Sequence, residues 1–270
     1  MNDHSFLNAK IIMQNITPKL TLVGAGPGDP ELITVKGLKA IQQARVILYD
    51  ALSNNELLGH APANCLKRFV GKRAGMHVYA QEEINRMIVK YALTYGSVVR
   101  LKGGDSFVFG RGQEEITFAQ QFGIETEVIP GVSSAVAVPG FNKIPVTARN
   151  ISEGFWVITG TTQSGSLSRD LEFAIQANTT LVILMGMSKL AEIAAIFTAQ
   201  GKGDMPAAII QNGTLPNQKL GVGTAGELVQ IAEKHELRNP AIIVVGEVVR
   251  FHEAFQAMQE KLASELKLAV

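Results

Sequence analysis

The stretch LTLVGAGPGDPELITVKGLKAI, residues 20–41, decides how the rest of the chain is read. Leu20 to Val23 is an apolar run of strand length that ends in Gly24-Ala25-Gly26-Pro27-Gly28-Asp29. Beyond the glycines, Leu32, Val35, Leu38, Ala40 and Ile41 recur near helical spacing, so the stretch predicts strand, glycine loop and helix. The same alternation runs outward, with strands expected at 45–49, 66–70, 98–101 and 125–129 and helices at 82–93 and 113–121. Strands separated by helices need crossover connections, and crossovers make a mostly parallel sheet.

Residues 130–154 are rich in Gly, Ser, Pro and Asn, and Pro139, Gly140 and Pro145 would interrupt a long helix, so the domain junction is expected there. A second α/β unit follows. Its strands are expected at 155–159, 180–185, 207–211 and 241–245 and its helices at 167–176 and 189–199. Residues 219–222 can pair with 207–211 as an antiparallel hairpin, because Pro216-Asn217 is a turn signal. Phe251, Phe255, Met258 and Leu262 mark the packing face of a terminal helix. The expected organisation is therefore a tail without order at 1–17, α/β domains at 18–135 and 155–250, a linker at 136–154 and a helix at 251–270.

Composition agrees with an α/β enzyme. The 270 residues are 46% hydrophobic and 18% charged, with 26 glycines suited to tight strand-to-helix turns. Cys65 is the one cysteine and can form no internal disulfide, which favours a reducing compartment such as the cytoplasm. The N-terminal residues do not read as a signal peptide, and the apolar runs fall far short of the roughly 20 residues that cross a bilayer. A net charge of +1 offers no general attraction to nucleic acid or membrane. The charge is uneven, however: Lys67, Arg68, Lys72, Arg73, Arg86, Lys90, Arg100, Lys102 and Arg111 face only Glu82, Glu83 and Asp105 between residues 67 and 111.

The chemistry should lie where strands run into glycines, at 24–29, at Gly103-Gly104-Asp105, and at Gly186 and Gly213, since ligands of open α/β sheets bind outside the carboxyl ends of strands. The first loop is not a dinucleotide fingerprint: Asp29 stands where the third glycine belongs, and Pro27 lacks a backbone donor. No G-x-x-x-x-G-K-[ST] phosphate loop is present. Gly131-Val132-Ser133-Ser134-Ala135 lacks the second glycine of a nucleophile elbow, and the five histidines show no metal-ligand spacing.

Val23 to Gly37, Tyr49-Asp50-Ala51-Leu52, Gly71-Lys72-Arg73-Ala74-Gly75, Gln81 to Asn85 and Val99 to Glu115 (VRLKGGDSFVFGRGQEE) resemble the tetrapyrrole methylases. The resemblance continues through Ile129-Pro130-Gly131, Ile144 to Thr147, Leu184-Met185-Gly186, Gln211 to Thr214 and Pro240-Ala241, covering about residues 18–250 in one order. The GKRAG and KGGDSFVFGRG stretches are similar to the branch acting on uroporphyrinogen III. The resemblance implies two α/β domains, each with a mixed, mostly parallel sheet, and S-adenosyl-L-methionine bound between them. It further implies methylation of uroporphyrinogen III at carbons 2 and 7, through precorrin-1 to precorrin-2, with S-adenosyl-L-homocysteine released. Precorrin-2 would feed sirohaem, cobalamin or haem d1 synthesis, and the enzyme would be a homodimer. Methylation of a later precorrin, or binding without turnover, are the alternatives.

Carried over by position, the implied cofactor contacts are Pro27, Gly103, Gly104, Asp105, Val108, Ser133, Ser134, Met185, Gly213 and Ala241. Asp50 is the implied proton acceptor and Lys72 the donor, with Arg111 a competing candidate. Arg73 and Arg149, together with Lys72 and Arg111, are expected to bind the substrate's carboxylates, which guanidinium groups recognise with paired bonds. Ala148 and Thr161 stand where the family commonly has histidine, Asn150 where it has an acid, and Ser133 where it has threonine. No stretch resembles the dehydrogenase and ferrochelatase domain of the fused sirohaem synthases, so the reaction is expected to stop at precorrin-2.

Overall fold

The computed structural model describes residues 17–71 and 79–268, with side chains to residue 261. The expected N-terminal tail lies almost wholly outside these residues, as do Lys72 and Arg73. The chain divides into two compact units, residues 1–133 and 134–270.

The first unit runs β1 (Lys19–Gly24), α1 (Val35–Gln42), β2 (Val46–Tyr49), β3 (Leu66–Phe69), α2 (Gln81–Tyr95), β4 (Ser97–Lys102), α3 (Gly112–Gln120) and β5 (Glu125–Ile129). The strands form one sheet in the order β3-β2-β4-β1-β5, and every pairing is parallel. Side-chain alternation splits β1, β2 and β4 between two cores. Leu20, Leu22, Val46 and Leu48 pack with Ile84, Ile88 and Ala92 of α2 and Ile116 of α3. Val23, Ile47, Val99 and Leu101 turn the other way, against Ile41 of α1 and Leu57. Thr34 starts α1 by accepting a bond from the Gly37 amide at 3.1 Å, and Gly96, at φ +78°, stops α2. Because the sheet is parallel, all five strands release their loops at one edge, and the candidate residues Asp50, Gly103 and Asp105 follow directly from it.

The second unit runs α4 (Ser134–Phe141), β6 (Phe155–Thr159), α5 (Asp170–Gln176), β7 (Thr180–Leu184), α6 (Leu190–Ala199), β8 (Pro206–Gln211), β9 (Lys219–Thr224), α7 (Leu228–Lys234), β10 (Ala241–Val245) and α8 (Glu253–Leu268). Its sheet has the order β6-β7-β10-β8-β9. Only β6 and β7 pair in parallel; β10 is antiparallel to both β7 and β8, and the expected hairpin joins β8 to β9. This sheet is mixed, with more antiparallel than parallel pairs. The hairpin reverses the chain and β10 enters between strands already laid down, a placement that local periodicity does not encode. Helix α4 starts in the last two residues of the expected first domain and runs into the expected linker, over 136–141. It tolerates Pro139 because the helix is short, and the Pro139 carbonyl accepts from Ile144 N at 2.9 Å while Asn142 Nδ2 donates to the Val138 carbonyl at 2.8 Å. Ala135 and Val138 of α4 pack on Val182, Ala208 and Val244 of the sheet. No helix among the described residues is long and apolar enough to cross a membrane.

Candidate functional site

The loops after β1 and β4 are zipped together at the carboxyl edge of the first sheet. Ala25 N donates to Lys102 O at 2.7 Å, Gly104 N to Gly26 O at 2.7 Å and Gly26 N to Gly104 O at 3.2 Å. The loop after β5 presses on both: a Cβ at Gly131 would stand 2.2 Å from Gly104 O and 2.6 Å from Gly24 Cα. Gly26 and Gly104 themselves sit at φ +82° and +64°, a region in which side chains are strained. These glycines let loop approach loop. That differs from a glycine kept to make room for a ligand.

Asp105 joins the same three loops. Its Oδ1 accepts from Phe107 N at 2.8 Å and its Oδ2 from Gly131 N at 3.0 Å, and each oxygen retains a further lone pair for an incoming hydroxyl or amine. The loop that follows exposes Phe107, Val108 and Phe109 and returns through Phe109 at φ +53° and Arg111 at φ +58° into α3. Pro27 is half-buried, and its neighbour Gly28 is tied to Asn54 Nδ2 through its carbonyl at 3.0 Å.

Asp50 leaves β2 and is held firmly. Its Oδ1 accepts from Leu52 N and Ser53 Oγ, both at 3.1 Å, and faces Gly103 N at 3.4 Å. Its Oδ2 stands 3.5 Å from Arg100, and its side chain is 23% exposed, enough for a substrate to reach. Arg111 grips Glu114 with Nε at 2.7 Å and a terminal nitrogen at 2.6 Å. The bond to Glu114 raises the guanidinium's pKa further, so Arg111 is a permanent cation suited to a carboxylate and poorly suited to accept a proton. Arg149 is exposed, in a turn where Asn150 adopts φ +64°.

The expected residues of the second unit also fall at strand ends. Met185 follows β7 at φ +56° with 48% of its surface exposed, and its carbonyl accepts from Thr161 Oγ1 at 2.8 Å. Gly213 follows β8 against α4, where a Cβ would meet Val138 Cγ1 at 2.3 Å. Ala241 opens β10, and Ser133 and Ser134 are half-buried at the start of α4.

The basic window proves heterogeneous. Lys67, Arg68, Arg86 and Lys90 are exposed, as expected of surface residues. Arg100 and Lys102 are buried beside Glu115, which sequence reading did not single out. Burial first and Arg100 second push the Lys102 ammonium below the ordinary lysine pKa, with Glu115 and Asp50 opposing them. The one signal in the sequence was a pair of cations two residues apart on an otherwise apolar strand.

The model of the Tetrapyrrole (Corrin/Porphyrin) Methylases matches residues 19–229, and the chain belongs to that family. It is 47% identical over 236 residues to the uroporphyrinogen-III C-methyltransferase of Methanocaldococcus jannaschii, covering 87% of this chain and 98% of the relative. It is 46% identical to a siroheme synthase of Actinobacillus pleuropneumoniae, of which it spans 49%. Among solved structures, the uroporphyrin-III C-methyl transferase of Thermus thermophilus complexed with S-adenosylhomocysteine is 38% identical with a TM-score of 0.75, covering 86% of this chain and 99% of that one.

Proposed function

We propose that this chain methylates uroporphyrinogen III at carbons 2 and 7, through precorrin-1 to precorrin-2, with S-adenosyl-L-methionine as methyl donor. The observation that carries the reading is the parallel sheet's carboxyl edge, where three interlocked glycine loops, Asp105 and a partly exposed Asp50 converge in a chain matching such methyltransferases along nearly its whole length. The residues of the first unit fit the donor: Asp105 has spare lone pairs for hydroxyl or amine, and the exposed Val108 side chain offers apolar surface. Pro27, Gly103, Gly104, Asp105, Val108, Ser133 and Ser134 are the proposed cofactor contacts of the first loops, with Met185, Gly213 and Ala241 as candidates in the second unit.

When bound, the donor supplies an electrophilic methyl group to an electron-rich pyrrole carbon. The chain's own work is to align the two and to manage protons and charge. Asp50 accepts the proton, since its Oδ1 is already fixed by three neighbouring donors while the side chain is open to solvent. Arg111 and Arg149 bind substrate carboxylates as cations, and Lys72 and Arg73 are the corresponding candidates outside the described residues. We further propose a homodimeric enzyme working in the cytoplasm and supplying sirohaem, cobalamin or haem d1 synthesis.

The test is anaerobic incubation with uroporphyrinogen III and S-adenosylmethionine, followed by product mass and S-adenosylhomocysteine release. A gain of two methyl groups is expected. Cofactor binding without any gain in mass would refute the reading.

A further inference from the structure

Arg100 and Lys102 alternate on β4 and project to the same face of the first sheet. They are 3% and 5% exposed, and Glu115, on α3, is fully buried. Glu115 Oε1 accepts from Arg100 Nε at 3.2 Å, Lys102 Nζ at 3.0 Å and Gln81 Nε2 at 3.2 Å. Arg100 spends one terminal nitrogen on the carbonyls of Leu101 at 2.9 Å and Leu48 at 3.4 Å, and the other stands 3.5 Å from Asp50 Oδ2. Asp50 in turn meets the Gly103 amide. A continuous polar chain therefore runs from α3 through β4 to Asp50 and on to the β4 glycine loop.

Stability does not account for this cluster. Two cations and two anions balance, but Arg100, Lys102 and Glu115 lose their hydration, and Glu115 Oε2 has no hydrogen-bond partner among the described residues. Well-packed apolar side chains in place of buried ion pairs are often as stabilising or more so. What apolar side chains cannot do is aim a carboxylate. Arg100, planar and held through Nε and one terminal nitrogen by fixed partners, can do so with the other terminal nitrogen.

We propose that Arg100 is the positioning residue of the Asp50 carboxylate and that Glu115 fixes Arg100 for this task. The inference rests on the reading of Asp50 as proton acceptor. Arg100 occupies one side of Oδ2 while the Leu52, Ser53 and Gly103 donors occupy Oδ1, so a single direction is left from which Asp50 can take a proton.

The test is a mutant cycle between Asp50→Asn and the paired replacement Arg100→Met with Glu115→Gln. The pair removes one buried cation and one buried anion, leaving the charges of Asp50 and Lys102 balanced. Alone, it is expected to lower kcat about 10- to 100-fold, the scale of a misplaced reacting group, while leaving the KM for uroporphyrinogen III and the Kd for S-adenosylhomocysteine within about twofold. On top of Asp50→Asn it should cost nothing more. Should the paired variant fold poorly by circular dichroism, Arg100→Lys keeps the charge without the fork and is expected to show the same loss confined to kcat. An unchanged kcat in a folded variant, or losses that multiply in the combined protein, overturn the positioning role. A wild-type kcat in Asp50→Asn itself overturns the assignment of Asp50, and the positioning role with it.

Discussion

At the scale of single residues, the site depends on atoms the chain leaves out. A methyl group at Gly131 would collide with the backbone of Gly104 and Gly24, which cannot rotate away as a side chain could. Gly131→Ala is therefore expected to weaken S-adenosylhomocysteine binding by at least about tenfold, as read by calorimetry, whereas a wild-type Kd would separate these loops from the cofactor. Gly213→Ala meets the Val138 side chain instead, so Val138→Ala should recover part of whatever affinity that change removes. Arg111→Ala leaves both loops intact, and its loss should appear in turnover with cofactor affinity retained; equal losses in both would place Arg111 against the cofactor. That the glycines and acids of the candidate site follow strand ends was legible, because strand ends announce themselves in the sequence. The burial of Arg100 and Lys102 was not, because their partner Glu115 is 15 and 13 positions away and only folding brings it near.

At the scale of elements, the strands at 125–129, 155–159 and 241–245 fall at the bounds expected of them. Helix α4 was illegible because Pro139 and Gly140 mask it. Helix α8 carries a testable cap. His252 Nδ1 accepts from Ala254 N at 3.1 Å, which requires a neutral ring. Burial pushes the His252 pKa below its ordinary value of 6.5, with Lys143 adding to the shift and Glu253 opposing it. The unfolded chain then binds more protons than the folded one just below pH 6.5, so the cap's contribution is present above that pH and is lost as pH falls through the folded value. Hydrogen exchange at Ala254 and Phe255, corrected for intrinsic rates, is expected to speed up between pH 7.5 and pH 5 by the loss of about 1 kcal/mol. His252→Asn, whose carbonyl accepts at either pH, should abolish that difference; its persistence would assign the acid sensitivity to another group.

At the scale of the whole molecule, alternation of strand and helix was enough to predict two α/β units, because period two and period 3.6 are local properties of the chain. Strand order was not predictable in the same way, since the insertion of β10 between β7 and β8 depends on contacts far apart in sequence. Stability and binding can be separated at this scale. Ile88 is fully buried in the core between α2 and the first sheet, and Ile88→Ala should cost about 2–5 kcal/mol of stability. Gly131→Ala should act on the loops proposed to bind the cofactor. S-adenosylhomocysteine at a hundred times its Kd adds about 2.7 kcal/mol to a protein that binds it only when folded. For a chain of this size, that is a rise in melting temperature of roughly 5–10 °C. Ile88→Ala should melt lower than the parent yet keep the full rise, because its strand-end loops are intact. Gly131→Ala should show little or no rise at the same ligand concentration. If Ile88→Ala lost the rise and Gly131→Ala kept it, the ligand would be bound by something other than the interlocked loops at the carboxyl edge of the first sheet.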